Sequence, residues 1–62
     1  MIELTKLSGV SFMLNPDLIE SIEENPDTVI TLVNGKKFIV KERRQEVKNL
    51  VISYKRDIYV HL

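Results

Sequence analysis

The sequence contains no cysteine and only one histidine, so the usual cross-links of a small domain are missing. Without cysteine, neither a disulfide nor a thiolate metal site can form. His61 lies next to the chain end and has no second histidine with which it could bind a metal. We therefore expect no metal and no other cofactor. Because a chain of 62 residues has a small core, association with other chains is the remaining means of stabilisation.

Long apolar stretches are also missing. No segment approaches the roughly 20 apolar residues that span a bilayer, and the first residues lack the basic region and apolar run of a signal peptide. The apolar fraction of 44% is that of a folded protein rather than a disordered one. We expect a single domain over residues 1–62 that does not span a membrane. The lack of cysteine is compatible with the cytoplasm, where we expect the protein to lie.

Catalytic patterns are absent as well. The two glycines each lie within a turn signal, so there is no glycine-rich phosphate loop, and no His–carboxylate spacing typical of a metalloenzyme occurs. The serine hydroxyls have no base except His61, which argues against a nucleophilic triad. The cluster of Glu20, Glu23 and Glu24 is more typical of a solvated strand edge than of an acid–base or calcium site. We therefore expect a non-enzymatic protein without a small-molecule substrate.

The charges are balanced overall but divided along the chain. Residues 1–27 contain one lysine and six acidic residues, a net charge of −5, whereas residues 28–62 contain eight basic and three acidic residues, a net charge of +5. Strands that interleave the two halves would pair these charges across a sheet, which is the interpretation we favour. If the halves formed separate surfaces, the resulting dipole would steer self-association or a charged partner.

Residues 2–6 and 10–14 alternate between apolar and polar and flank a turn that contains Gly9, which predicts a first hairpin. The triplet Asn15-Pro16-Asp17 then predicts a turn, because asparagine accepts backbone hydrogen bonds and proline presets φ. Residues 18–24 do not alternate strictly. They predict either a strand with a bulge or a short helical turn, with Asn15 as its cap.

A second hairpin is predicted where residues 28–33 and 36–41 flank Asn34-Gly35, a pair typical of type I′ turns. Such a turn fixes a register in which four apolar residues share one face, namely Val29, Val33, Phe38 and Val40. The opposite face would carry Ile30, Leu32 and Ile39. Both faces of this hairpin would then be largely apolar.

From residue 44 onward the apolar residues follow the period of a helix, with a stripe of Val47, Leu50, Val51, Tyr54 and Ile58. Residues 57–62 fit either the end of this helix or a short strand. The predicted fold is therefore α+β, a small antiparallel sheet formed by a meander of about four to five short strands and followed by a C-terminal amphipathic helix.

One helix can cover only one face of the hairpin, so something else must cover the other. A second copy is the simplest cover, and we therefore expect a homo-oligomer, with another protein as the alternative. The candidate interaction surface consists of Val29, Val33, Phe38, Val40, Ile58, Val60 and Leu62.

Nucleic acid is the main alternative partner. Six basic residues lie close together in the sequence, namely Lys36, Lys37, Lys41, Arg43, Arg44 and Lys48. The zero net charge and the few aromatic residues argue against a nucleic-acid-binding domain. Lysines that solvate a sheet and protect its edges are the simpler interpretation.

Four stretches of the sequence form a recognisable pattern. They are Ile2-x-Leu4-Thr5-x-Leu7-x-Gly9, Phe12-x-Leu14-Asn15-Pro16-Asp17-Leu18-Ile19-Glu20, Glu24-x-Pro26-Asp27-Thr28-Val29-Ile30-Thr31-Leu32-x-Asn34-Gly35-Lys36-Lys37, and Val40-Lys41-Glu42. Across nearly the whole chain this pattern resembles the FlbD (SwrD) family of small flagellar proteins. Only the tail, residues 57–62, is longer and more apolar than the family leads us to expect.

The resemblance implies a bacterial protein of flagellar operons that supports swarming by helping the stator units of the motor to generate torque. Its implied partner is a flagellar motor or stator protein, and its implied location is the cytoplasm, peripheral to the motor. The family offers no catalytic residues to transfer to this chain. The motif residues Gly9, Asn15, Pro16, Asp17, Asn34 and Gly35 have structural roles in turns.

Overall fold

A computed structural model describes the backbone of residues 1–60 and the side chains of residues 1–58. Five short strands precede one helix: β1 (Ile2–Thr5), β2 (Ser11–Leu14), β3 (Ile19–Glu24), β4 (Thr28–Leu32), β5 (Lys37–Val40) and α1 (Arg44–Val60). All paired strands are antiparallel. The predicted α+β fold, a meander of short strands followed by a helix, is thus confirmed.

The strands form two sheets that meet at one corner. One sheet contains β1 and β2, and the other has the order β3-β4-β5. A single antiparallel bridge between Lys6 and Val40 joins them, and the Lys41 amide donates to the Thr5 carbonyl at 2.8 Å. Because β1 and β5 pair only at their ends, the sheets diverge from this corner and enclose the core between them.

The first hairpin turns through a three-residue loop, Leu7 to Gly9. The Gly9 amide donates to the Lys6 carbonyl at 2.8 Å, and the Lys6 amide donates to the Val10 carbonyl at 2.9 Å. Gly9 has a φ of +96°, a left-handed conformation that glycine adopts without a steric cost. The loop is therefore a turn closed by a glycine bulge.

The second hairpin has the same kind of loop, from Val33 to Gly35. The Gly35 amide donates to the Leu32 carbonyl at 2.8 Å, and the Leu32 amide donates to the Lys36 carbonyl at 2.8 Å. Gly35 has a φ of +88°, but no residue other than glycine has a positive φ in the described chain. The predicted type I′ turn, which requires a positive φ at Asn34 as well, is therefore wrong.

The extra loop residue shifts the predicted register by one position. Ile30 lies opposite Phe38 and Thr28 lies opposite Val40, whereas the predicted register paired Val29 with Val40. Because side chains alternate along a strand, a shift of one residue moves each β5 side chain to the other face relative to β4. The prediction that Val29 shares a face with Phe38 and Val40 is therefore wrong.

With this register, apolar side chains concentrate on a single face. Thr28, Ile30 and Leu32 of β4 are buried together with Val40 of β5, and Phe38 is half-buried beside them. The opposite face pairs Val29 with Ile39 and Thr31 with Lys37. The hairpin thus has one apolar face and one mixed face, rather than the two apolar faces that were predicted.

A 3₁₀ helix, Pro16–Leu18, links β2 to β3. The Asn15 side chain accepts a hydrogen bond from the Asp17 amide at 3.0 Å, and Pro16 begins the helical turn, as predicted. β3 follows at once and has a register irregularity between Ile19 and Ser21. Both alternatives left open for this segment therefore occur, one after the other.

The core lies between the two sheets and α1. Its buried apolar members are Ile2, Leu4, Leu14, Ile30, Leu32, Val40 and Val47. Val51 and Tyr54 of α1 pack against it, which confirms the predicted inward stripe at these positions, although Leu50 and Ile58 of that stripe remain exposed. Full burial of such a side chain contributes about 1.5–3 kcal/mol, so this small cluster supplies much of the stability.

Carboxylates fix the start of α1. Glu24, at the end of β3, accepts a hydrogen bond from the Arg44 amide at 2.8 Å and forms an ion pair with Arg43 at 3.2 Å. Glu46 accepts a hydrogen bond from the Arg43 amide at 3.3 Å. The first amides of a helix have no partner within the helix, and negative charge there is favourable. These contacts therefore hold the helix start against β3.

The left-handed backbone at Gly35 yields a stability prediction. A Cβ atom at this position would have no neighbour within 4 Å, so the cost of Gly35→Val is conformational and we expect about 1–3 kcal/mol. Gly35→Asn should cost less, because asparagine tolerates this conformation better. Urea unfolding of the two variants measures the difference. A Gly35→Val protein as stable as the parent would contradict the assigned turn.

Candidate interaction surface

Two phenylalanines from different hairpins meet at the edge of the core. The ring centroids of Phe12 on β2 and Phe38 on β5 are 5.0 Å apart, with an angle of 31° between the ring planes. The ammonium of Lys6 lies 5.6 Å from the centroid of the Phe12 ring, and that of Lys36 lies 5.3 Å from the Phe38 centroid. We call these four residues the aromatic–lysine patch.

The equivalent turns of the hairpins build this patch. Phe12 pairs with Leu4, as Phe38 pairs with Ile30, and each phenylalanine follows its loop glycine by three positions. Lys6 precedes the first loop and lies two residues after the inward-facing Leu4. Lys36 follows the second loop and lies two residues before Phe38. Because side chains alternate along a strand, both lysines lie on the inward side, next to the rings.

The lysines of the patch have no acidic partner within the described chain. The one ion pair among the described side chains joins Arg43 and Glu24. A lysine over an aromatic ring at an exposed site gains only about 0.5–1 kcal/mol from this contact. The patch therefore presents two uncompensated positive charges beside a half-buried apolar surface.

A second concave feature lies between β1 and α1. It is an open groove of about 430 Å³ lined by Glu3, Glu42, Glu46, Asn49, Leu50 and Ser53. Two of its carboxylates already have structural partners, because Glu46 accepts from the Arg43 amide and Glu42 accepts from Thr5. Among the residues whose side chains are described, no three acidic or histidine side chains lie close enough to hold a metal ion.

Thr5 binds both oxygens of the Glu42 carboxylate. The Thr5 amide donates to Oε1 at 2.9 Å, and the Thr5 hydroxyl donates to Oε2 at 2.8 Å. Burial acts to raise the pKa of Glu42, but these hydrogen bonds, the amide of Glu42 itself and the charge of Lys41 together lower it below its ordinary value. The pair ties the segment after β5 to the outer edge of β1.

The predicted interaction residues on the second hairpin do not form one surface. Val40 is only 2% exposed and belongs to the core, whereas Phe38 is half-buried within the aromatic–lysine patch. Val33, 62% exposed, lies in the loop, and Val29 lies on the mixed face of the hairpin. Of these four residues, only Phe38 contributes to the patch.

The remaining predicted residues lie at the C-terminal end. Ile58 is on α1 and is exposed. The side chain of Val60 and the whole of Leu62 lie outside the described residues, so their part in an interaction surface stays a prediction.

The predicted groups of like charge are also divided. Lys36 points inward and Lys37 lies on the mixed face opposite Thr31, so these two lysines do not form one basic stripe. In the acidic cluster, Glu20 and Glu23 are exposed on β3, whereas Glu24 binds Arg43 and the amide of Arg44.

Sequence reasoning missed Lys6 and Phe12 as members of a site. The signal that could have identified them is the likeness of the two hairpins, in which Gly9 and Phe12 have the same spacing as Gly35 and Phe38. Recognition of that likeness would have placed the two rings at equivalent positions.

The comparisons with known proteins identify a family. The family model FlbD, described as flagellar and swarming motility proteins, matches residues 1–59 of the chain. Neither the curated proteins nor the solved structures include a significant match. In the part of the chain that the structure describes, no helix is both long and apolar enough to cross a membrane.

The lowered pKa of Glu42 predicts a dependence of stability on pH. Because this pKa is lower in the folded chain than in the unfolded one, the ionised carboxylate stabilises the fold above the unfolded value of about 4.3. That contribution is lost as the pH falls through the folded-state pKa. Glu42→Gln should therefore cost about 1 kcal/mol at neutral pH, less than a typical charged hydrogen bond contributes, because the group is partly exposed.

Urea unfolding of the parent and of Glu42→Gln, from neutral to acidic pH, measures this effect. The difference in free energy of unfolding should shrink as the pH falls. Glu46→Gln, in the same groove but with a longer hydrogen bond, is the matched control and should change less. A difference between the parent and Glu42→Gln that is constant with pH would contradict the assignment.

Proposed function

We propose, because this chain belongs to the FlbD family of flagellar and swarming motility proteins, that it is a non-enzymatic accessory protein of the flagellar motor. In this proposal the protein supports swarming by raising the torque that the stator units generate. Residues 1–62 act as one domain. The family match over residues 1–59 is the observation that carries the proposal.

The surface of the chain supports an action through protein contacts. Two carboxylates already have structural partners. Thr5 donates a hydrogen bond to Glu42, and Arg43 forms an ion pair with Glu24. The aromatic–lysine patch instead combines an apolar area with uncompensated charge. Protein interfaces have the same combination, an apolar core and a polar rim. We place the protein in the cytoplasm, peripheral to the motor, a compartment that suits a cysteine-free chain.

We also propose that the protein forms homo-oligomers. The second apolar sheet face that suggested this does not exist, but other apolar side chains remain exposed. Ile39 is exposed beside the half-buried Val29 on the mixed face, and Leu50, Ile52 and Ile58 are exposed on α1. A second copy could cover these residues and add to the small core. Sedimentation should show a species larger than the 7.2-kDa chain, and a monomer at micromolar concentration would contradict this.

Deletion of the gene tests the motility function. We expect filaments of normal number and length, a reduced swarming rate and a lower torque of single motors in tethered cells, because the proposed target is the stator rather than assembly. A copy of the gene at another locus should restore swarming and is the control for effects on neighbouring genes.

Two results would count against this function. Normal swarming with normal torque in the deletion strain would remove the motility role altogether. Loss of the filaments themselves would replace the torque function with one in flagellar assembly or expression.

A further inference from the structure

One edge of β2 has no hydrogen-bond partner in the described chain. The Lys6 amide donates to the Val10 carbonyl, so the even-numbered residues of this hairpin exchange hydrogen bonds across it. The Thr5 amide accordingly points away from β2, toward Glu42. By the same alternation, the amides and carbonyls of Ser11 and Met13 point outward from β2, and β2 pairs with no strand except β1.

This edge lacks the devices that normally prevent strand addition. Proteins protect their edges with charges, prolines or bulges. The edge strand β3, by contrast, carries three glutamates and a register irregularity. β2 contains no charged residue, no proline and no irregularity in its pairing with β1. Val10 and Met13 are 59% and 56% exposed, so apolar side chains and unpaired backbone groups occur together.

The aromatic–lysine patch lies beside this edge. Phe12 belongs to β2 itself, and the Lys6 ammonium lies above its ring. A strand added to β2 would present alternate side chains on the inward side, where they would extend the apolar surface of Phe12 and reach the two lysines. Charge complementarity therefore calls for an acidic strand.

We propose that the free edge of β2 binds an extended, acidic segment of a partner protein by antiparallel strand addition, with the carboxylates of the segment next to Lys6 and Lys36. This inference rests on the proposed function, because it takes the partner to be a protein. Main-chain hydrogen bonds would supply affinity, and the patch would supply specificity.

Two other occupants fit this edge less well. A four-residue strand paired with its own copy would bury far less than the roughly 1,200 Å² of a stable interface. Nucleic acid would find only two lysines at the patch, and its affinity depends on the number of phosphates that lysines and arginines neutralise.

Titration of the isotope-labelled chain with a short blocked peptide, Val-Thr-Val-Thr-Glu-Thr-Glu, tests the proposal by NMR. In an antiparallel arrangement the glutamates lie near the loop end of β2, close to the lysines. We expect the largest shifts at the amides of Ser11 and Met13, and no binding of a peptide with lysine in place of glutamate. Shifts confined to another surface, or no binding of the acidic peptide, would overturn the proposal.

Three variants sharpen this test. The double variant Lys6→Glu, Lys36→Glu should weaken peptide binding about tenfold or more. Lys37→Glu, which makes a similar charge change on the mixed face, is the control and should bind like the parent. Ser11→Pro removes an outward amide, a change that an edge strand tolerates, and should abolish binding even if the double variant fails to fold. Tighter, more salt-dependent binding of oligothymidylate at the same amides would overturn the proposal in favour of nucleic acid.

The same variants in cells separate this inference from the proposed function. If the deletion reduces swarming, the Lys6→Glu, Lys36→Glu and Ser11→Pro variants should reduce it too, and Lys37→Glu should not. If the deletion reduces swarming but these folded variants do not, partner binding at the β2 edge is refuted and the proposed motility function is not. A deletion without any defect would refute the motility function, whatever the peptide experiment shows.

Discussion

The left-handed backbone at two glycines determines which side chains point into this protein. Gly9 and Gly35 each close a three-residue loop, with φ values of +96° and +88°. The loop length fixes the register of each hairpin, and the register decides the face of every side chain. With this register, Phe12 and Phe38 both point inward, and their rings come within 5.0 Å between centroids.

The proposed interaction surface follows from the same constraint. The inward register places Lys6 and Lys36 beside the phenylalanines, where neither has an acidic partner among the described side chains. It also directs the Thr5 amide outward to Glu42, so the outer edge of β1 is bound at Thr5, whereas β2 pairs with no strand except β1. One outward amide of β1 is thus bound by a carboxylate of the same chain, and the edge of β2 is the one that we propose to bind a partner.

Local patterns predicted most of the elements but not their relative placement. Alternation, the Asn15 cap and the helical stripe around Val47 are properties of neighbouring residues, and the structure follows them. The register at Asn34 was predicted wrongly, because Asn-Gly fits a two-residue loop and also the last two positions of a three-residue loop. The Asn34 side chain accepts a hydrogen bond from the Lys36 amide at 3.0 Å within the observed loop. The Phe12–Phe38 and Thr5–Glu42 contacts join distant segments, and no local pattern specifies them.

Long-range NOEs between Hα protons of β4 and β5 test this register most directly. In an antiparallel pair, strong Hα–Hα contacts arise between residues that do not exchange hydrogen bonds, where the Cα atoms are about 4.5 Å apart. The three-residue loop predicts such contacts between Thr31 and Lys37 and between Val29 and Ile39. Contacts between Leu32 and Lys37 and between Ile30 and Ile39 would instead indicate a two-residue turn and would contradict the inward position of Phe38.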